Sequence, residues 1–252
     1  ALNESGQFKE SKEILLTISK DDIFYTESRL ILADFINENS FEKEAINILK
    51  ELIKTQEKSS EIYELLGNIY RYHEKFDLAQ EAYSEAIYLH QNSEFDNNNL
   101  WLLYFFRGIA LEQLKNYEKS KQDLRKSLAM MPDQPQVLNY LGYMLIEQKE
   151  NLEEALGMIR KAVKISPQSG YIIDSLAWGL YQLGRYSEAI EPMERAIELE
   201  PEDPIVNDHL GDVLWKVGRK REAYYQWKKT LLFNPTPELK LEIEKKLDTG
   251  LP

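Results

Sequence analysis

The 252-residue chain contains no cysteine, which removes structural disulfides, thiolate nucleophiles and cysteine-ligated metals together. It says little about compartment, because a helical array needs no covalent staples. Histidine is scarce: His73, His90 and His209 stand in separate stretches without metal-ligand spacing. Long apolar runs are missing too. The longest, Leu100 to Phe106, ends at Arg107, far short of the ~20 residues that a membrane-spanning helix needs. Cations are in deficit, with 31 Lys and Arg against 43 Asp and Glu for a formal net charge of −12, so a phosphate backbone would be repelled and nucleic acid is not an expected partner. There is no glycine-rich phosphate loop and no serine in a nucleophile elbow. Carboxylates are plentiful, but on an acidic surface neighbouring carboxylates are expected without acid–base work. The expectation is a protein with no catalysis, no metal and no cofactor. The chain starts at Ala1 without Met, signal peptide or lipidation motif, and its first residues read as the middle of a helical hairpin; native sequence is expected upstream.

What the chain does have is a period. Pro132, Pro167, Pro201 and Pro235 follow one another at intervals of 35, 34 and 34 residues, and Ala155, Ala189 and Ala223 recur at 34. The same spacing of 34 separates Ala33 from Gly67, Ala45 from Ala79, Gly108 from Gly142 and Ala177 from Gly211. Self-similarity at this spacing marks stacked helix hairpins. With 43% hydrophobic and 29% charged residues, such a stack can bury a continuous core. Small residues fall where two helix backbones must approach, and aromatics such as Phe76, Tyr117 and Tyr186 fall where the turn between helices needs a plug.

In residue type and spacing the repeats resemble the tetratricopeptide repeat (TPR) family, most clearly where "NYLGYML", "DSLAWGLYQLGRYSEAI" and "DHLGDVLWKVGRKREAYYQW" follow in register between Val137 and Leu231. The resemblance implies an all-α, right-handed α-solenoid of antiparallel hairpins. Its expected divisions are a half repeat at 1–25, repeats at 26–59, 60–93, 101–134, 135–169, 170–203 and 204–237, an insertion loop at 94–100 and a capping helix at 238–248. The insertion follows from Gln91 standing where proline is expected and from the polar "NSEFDNNN". The cap follows from Leu239, Ile243 and Leu247 on one stripe with charges elsewhere.

TPR geometry directs the second, fifth, ninth, twelfth and thirteenth residues of each unit to an inner surface that holds peptides or partner helices. In the C-terminal units these places hold Phe105, Asn139, Tyr143, Asp174, Trp178, Tyr181, Asp208, Asp212 and Trp215, an aromatic and acidic set expected to bind a peptide with basic and apolar residues. The bland reading of the aromatics is core packing, and of the aspartates a solvated face or hydrogen bonds between hairpins. Chaperone-type TPR domains hold a terminal carboxylate with inward Lys, Asn and Arg; here the inward residues are Glu61, Glu64, Asn68, Asn139, Asp174 and Asp208, so that clamp is not expected.

Two further features stand out. Trp101, Leu102, Phe105 and Phe106 belong to a run that is apolar on every side, which points to cover by the insertion loop or to a second interface, including a homo-oligomeric one. Lys216, Arg219, Lys220, Arg221, Lys228 and Lys229 form a basic cluster in the last hairpin, suited to an acidic partner or to solvent. The segments "LNYLGYMLIEQKENLEEAL", "DSLAWGLYQLGRY" and "NDHLGDVLWKVGRKREAYYQW" are similar to those of bacterial envelope TPR proteins, including lipoprotein adaptors, which implies a periplasmic or membrane-associated scaffold, with a cytoplasmic one as the alternative.

Overall fold

The computed structural model describes residues 2–38, 41–55, 59–92 and 99–251, with side chains from residue 10 onward. Within these residues the secondary structure is helical: α1 Leu2–Thr17, α2 Tyr25–Glu38, α3 Glu42–Thr55, α4 Ser60–Tyr72, α5 Phe76–Gln91, α6 Leu100–Gln113, α7 Tyr117–Met130, α8 Pro135–Glu147, α9 Leu152–Ile165, α10 Gly170–Gln182, α11 Tyr186–Leu199, α12 Pro204–Lys216, α13 Lys220–Thr230 and α14 Pro237–Thr249. Most of the expected insertion lies outside the described residues, and Leu100 already belongs to α6.

The helices group into two compact units, Ala1–Met130 and Met131–Pro252. Unit 1 holds the hairpins α2/α3, α4/α5 and α6/α7, preceded by α1; unit 2 holds α8/α9, α10/α11 and α12/α13, followed by α14. In each unit the second helix of one hairpin packs on the first helix of the next. The first helices also touch in series, α2 to α4 to α6 and α8 to α10 to α12.

Apolar spacing decides which face each helix buries. In α3, Ala45, Ile46, Leu49 and Leu52 form one buried stripe while Lys50 and Glu51 face solvent. Leu32, Ile36, Ile62, Ile69, Tyr83 and Leu103 are central to unit 1. Trp227, Met193, Val213 and Ile243 are central to unit 2, so α14 contributes a fully buried residue, flanked by Leu239 and Leu247, and closes that core as a capping helix.

The small residues recurring at 34 mark helix crossings. A Cβ added to Gly211 would lie 2.4 Å from the Trp227 ring, and one on Gly142 would lie 2.9 Å from the Ala155 carbonyl oxygen. Helix starts are set by proline and short polar caps. Asp203 accepts from the Ile205 and Val206 amides at 2.8 and 3.0 Å ahead of Pro204, and Thr236 accepts from Leu239 N ahead of Pro237.

Among the described residues, the first helix of each of five hairpins ends alike. Glu74, Lys115, Lys149, Gly184 and Gly218 take positive φ. The next residue's amide then reaches back five residues, as in Lys75 N to Tyr70 O at 2.8 Å and Arg219 N to Leu214 O at 2.9 Å. This is the Schellman closure, which glycine meets without strain and other L-residues meet at a cost.

Only at 184 and 218 does the sequence supply glycine for that closure. Gly218 has φ +88° and nothing within 4 Å of an added Cβ, so Gly218→Ala should cost about 1 kcal/mol from backbone strain alone. Lys115→Gly, at φ +60°, should stabilise by about 0.5–1 kcal/mol. Urea unfolding midpoints of the two variants, moving in opposite directions from the parent, check the assignment; a shared sign would refute it.

Candidate functional site

The inner helices α8, α10 and α12 of unit 2 carry most of the residues singled out by the repeat spacing. Trp178 stacks on Tyr181, with centroids 4.8 Å apart and planes at 8°, and on His209, with centroids 4.0 Å apart and planes at 11°. Its indole Nε1 donates to Glu147 Oε1 of α8 at 2.7 Å. Trp178 therefore ties three inner helices together while remaining partly accessible. Tyr143 and Tyr181 are also half-buried. Burial pushes both phenols well above their ordinary range, with nearby carboxylates acting in the same direction, so both hydroxyls keep their protons.

The three aspartates are buried and internally partnered. His209 Nδ1 lies 2.9 and 3.0 Å from the two Asp174 carboxylate oxygens. Lys246 of α14 donates to Asp208 at 2.6 Å and to Asp212 at 2.9 Å, and Trp227 Nε1 donates to Asp212 at 2.9 Å. Burial opposes charge on Lys246, but Asp212 and Asp208 outweigh it and hold its pKa above the ordinary value. Burial likewise opposes charge on His209, yet Asp174, with help from Asp208 and Asp212, raises its pKa. Asp208 is pushed up to about 6 by burial and by the neighbouring Asp212, against the pull of Lys246. The cluster thus sets three carboxylates against one permanent cation and one imidazole, a balance that favours uptake of a proton.

Trp215 packs against Trp227 and Tyr224 at centroid distances of 5.4 and 5.8 Å. Its Nε1 donates to the Leu251 carbonyl at 3.0 Å, and Lys220 sits 4.6 Å from its ring centroid. It anchors the C-terminal segment. Asn139 is buried, and among the described residues its Oδ1 has no hydrogen-bond partner.

Phe105 lies in unit 1 and is buried, as are Leu103 and Tyr104. Trp101 and Leu102 are half-buried, and Phe106 packs on the unit 1 core and stacks on Tyr83 at 6.0 Å. The apolar run is thus largely taken up by unit 1 itself. The basic cluster is partly spent as well: Arg219 pairs with Glu194 and Glu222, and Lys229 lies over Phe233.

Lys246 and Arg71 escaped the sequence reading, and His209 was read there only for metal-ligand spacing, not for a partner. Lys246 follows Asp212 by 34 residues, and His209 follows Asp174 by 35, so the repeat spacing could have paired them. Arg71 occupies the twelfth place of the 60–93 unit, an inward position carrying a cation. Among the described residues no group of three or more His, Asp or Glu is arranged to hold a metal ion, and no helix is long and apolar enough to cross a membrane.

The buried cluster predicts a pH dependence with a definite sign. A carboxylate whose folded pKa exceeds its unfolded value contributes stability at low pH that is lost as pH rises through the folded pKa. For Asp208 that window runs from its ordinary 3.8 to about 6, and the raised His209 acts in the same sense above its ordinary 6.5. Urea unfolding at about pH 5 and pH 7 should show the parent losing more stability on the alkaline side than Asp208→Asn, which does not titrate. Equal losses would remove Asp208 as the cause. Lys246→Met, which leaves both aspartates uncompensated, should cost about 3–5 kcal/mol at neutral pH.

Tetratricopeptide repeat models match residues 60–92 and 107–170, and a TPR repeat model matches residues 180–218. A TPR repeat-containing protein of Pseudomonas aeruginosa is 28% identical over 87 residues, covering 34% of this chain and 15% of its own length; the chain therefore spans only a small part of that relative. Among solved structures, the Cut9–Hcn1 hetero-tetramer of APC/C aligns with all of this chain and 47% of its own, at TM-score 0.77 and 18% identity. MamA of Desulfovibrio magneticus RS-1 aligns over 71% of this chain and 97% of its own at TM-score 0.58 and 18% identity. A thermophilic TPR protein of Thermus thermophilus aligns over 75% and 99% at TM-score 0.61 and 18% identity. At these identities the structural likeness speaks for the fold, and together with the repeat matches along both units it identifies the chain as a member of the tetratricopeptide repeat family.

Proposed function

We propose that the chain is a non-catalytic protein-interaction scaffold, and that the inner face of α8, α10 and α12 is where unit 2 receives a peptide or partner helix. TPR proteins generally mediate protein–protein interaction, and the observation that supports this face is its mixture of fixed and accessible groups. The aspartates and Trp215 are held by the chain's own partners, whereas Tyr143, Trp178 and Tyr181 are accessible in part. Tyr171 and Ile205, one repeat apart on α10 and α12, are 50% and 51% exposed. Rigid aromatic rings give contact area at small entropic cost, which suits them as anchors. The excess of carboxylates beneath them favours a partner that brings basic as well as apolar side chains.

In this reading Asp174, Asp208 and Asp212 act mainly by fixing the helices that present the rings and by setting the local potential. A photo-crosslinking residue at Tyr171 should trap a discrete partner from extracts of the source cell, one at the exposed Tyr225 of α13 should not, and Tyr171→Ala combined with Tyr181→Ala should weaken capture about tenfold or more. Identical adducts from both positions, or undiminished capture by the double variant, would rule out this face.

A further inference from the structure

Between the second helices α3 and α5 of unit 1, with α4 as the floor, lies a hollow of about 470 Å³. Tyr63, Leu66 and Tyr70 border it from α4. At spacings of three and four residues they share one side of that helix, opposite to Glu61, Asn68 and Tyr72 of the inner positions. The hollow is therefore separate from the inner face. From α5 come Glu81 and Glu85, one turn apart, with Ala82 between them, and from α3 comes Lys50. Leu66 and Ala82 are buried, so the bottom of the hollow is apolar and its rim is ionic.

Tyr70 is the informative residue. It is 6% exposed, yet among the described residues its hydroxyl has no hydrogen-bond partner, and the oxygen still has access to solvent. The other buried tyrosine of this hairpin, Tyr83, donates from its hydroxyl to Asn68 at 2.7 Å. Buried phenols ordinarily have such a partner, so the open Tyr70 oxygen marks a place where the hollow can receive a donor. Glu81 and Lys50 stand exposed on opposite rims, and among the described residues neither is in an ion pair. The volume falls within the range of about 300–1,000 Å³ that small-ligand sites occupy.

We propose that this hollow receives a basic side chain of a partner polypeptide, with its guanidinium or ammonium against Glu81, Glu85 and the Tyr70 hydroxyl and its aliphatic stem on Leu66 and Ala82. Two carboxylates against one lysine give the rim a negative balance, which selects a cation. Arg and Lys carry their charge at the end of an apolar stem, which matches an apolar bottom beside an ionic rim. The stem crosses the floor from the α3 side to the α5 side. Lys50, on the α3 side, is the reason for naming a polypeptide. Its ammonium repels a bare metal ion or a polyamine but can donate to the main-chain carbonyl beside a bound side chain. The site lies in the other unit from the face proposed above and between second helices instead of along first ones, so either reading can fail without the other.

The test is an NMR titration of the whole chain, following the Leu66 and Ala82 methyls and the Tyr63 and Tyr70 rings. Three probes are used: Nα-acetyl-arginine N-methylamide, a basic side chain on a peptide backbone; its citrulline counterpart, of the same shape without the charge; and butylguanidinium, the cation without a backbone. The arginine amide should give saturable shifts, the citrulline amide should bind roughly fivefold more weakly, and butylguanidinium should also bind more weakly. Glu81→Gln with Glu85→Gln should weaken the arginine amide roughly fivefold, and Tyr70→Phe, which removes only the hydroxyl, roughly threefold. Lys50→Ala should weaken the arginine amide without weakening butylguanidinium. Far-ultraviolet circular dichroism confirms that each variant is folded. Tyr171→Ala with Tyr181→Ala, in the other unit, should leave the titration unchanged. Equal binding of the citrulline amide, no saturable shift, or undiminished binding by the folded double glutamine variant would overturn the site. Butylguanidinium binding as tightly as the arginine amide would overturn the polypeptide as its ligand.

Discussion

The close crossing of the two helices in a hairpin is the constraint on which everything else rests. Gly67 meets the ring of Tyr83, Gly108 meets Leu124, Gly142 meets Ile159 and Gly211 meets Trp227, each so tightly that even one added carbon would overlap its neighbour or press against it. Because the backbones approach there, the large side chain opposite can fill the space between helices, and Tyr83 and Trp227 are fully buried as a result. Those same two residues then turn inward with their polar ends. Tyr83 orders Asn68 and Arg71, and Trp227 donates to Asp212. The packing requirement and the polar organisation of each inner face are therefore served by the same side chains.

The two units use charge in opposite ways. In unit 2 the inner carboxylates are matched inside the chain by Lys246 and His209, and a buried pair of this kind specifies geometry more than it adds stability. The cation comes from α14, so the capping helix is more than an apolar lid: it completes the electrostatics of the preceding hairpin. In unit 1 the half-buried Arg107 pairs with the buried Asp123 at 2.6 and 2.9 Å, joining α6 to α7 and reaching Ser84 of α5. Among the described residues Arg71 pairs with no carboxylate; its Nε donates to Tyr83 Oη.

Much of the fold was legible because its physical causes repeat. A small residue is required at every crossing and a chain-turning residue after every second helix, so alanine, glycine and proline recur at 34 and expose the architecture directly. The columns of inner residues were legible for the same reason. Their bonding was not. That Asp208 and Asp212 share Lys246, or that Trp178 lies against His209, depends on side-chain reach between hairpins, which spacing alone does not encode. Phe105 occupies an inward position by count and is nevertheless buried, because α6 is apolar on all sides and unit 1 takes up the surplus. Arg71 sits in a unit with weak consensus character, where composition drew less notice than in the clear repeats downstream.

The uniform closure of the first helices has a consequence for how such a chain reaches its structure. Each hairpin is joined by packing between segments adjacent in sequence, and its turn is set by a bond spanning only five residues. Few contacts require distant parts of the chain to meet, so the entropy of closing long loops is a small part of the folding barrier, and topologies of this kind fold rapidly. The cooperative unit is then the hairpin with its neighbours, not a central nucleus. Where the turn residue is strained, as at Glu74, Lys115 and Lys149, opening is easiest locally; the glycine-closed hairpins α10/α11 and α12/α13, which carry two of the three inner helices of unit 2, are the ones best placed to stay shut.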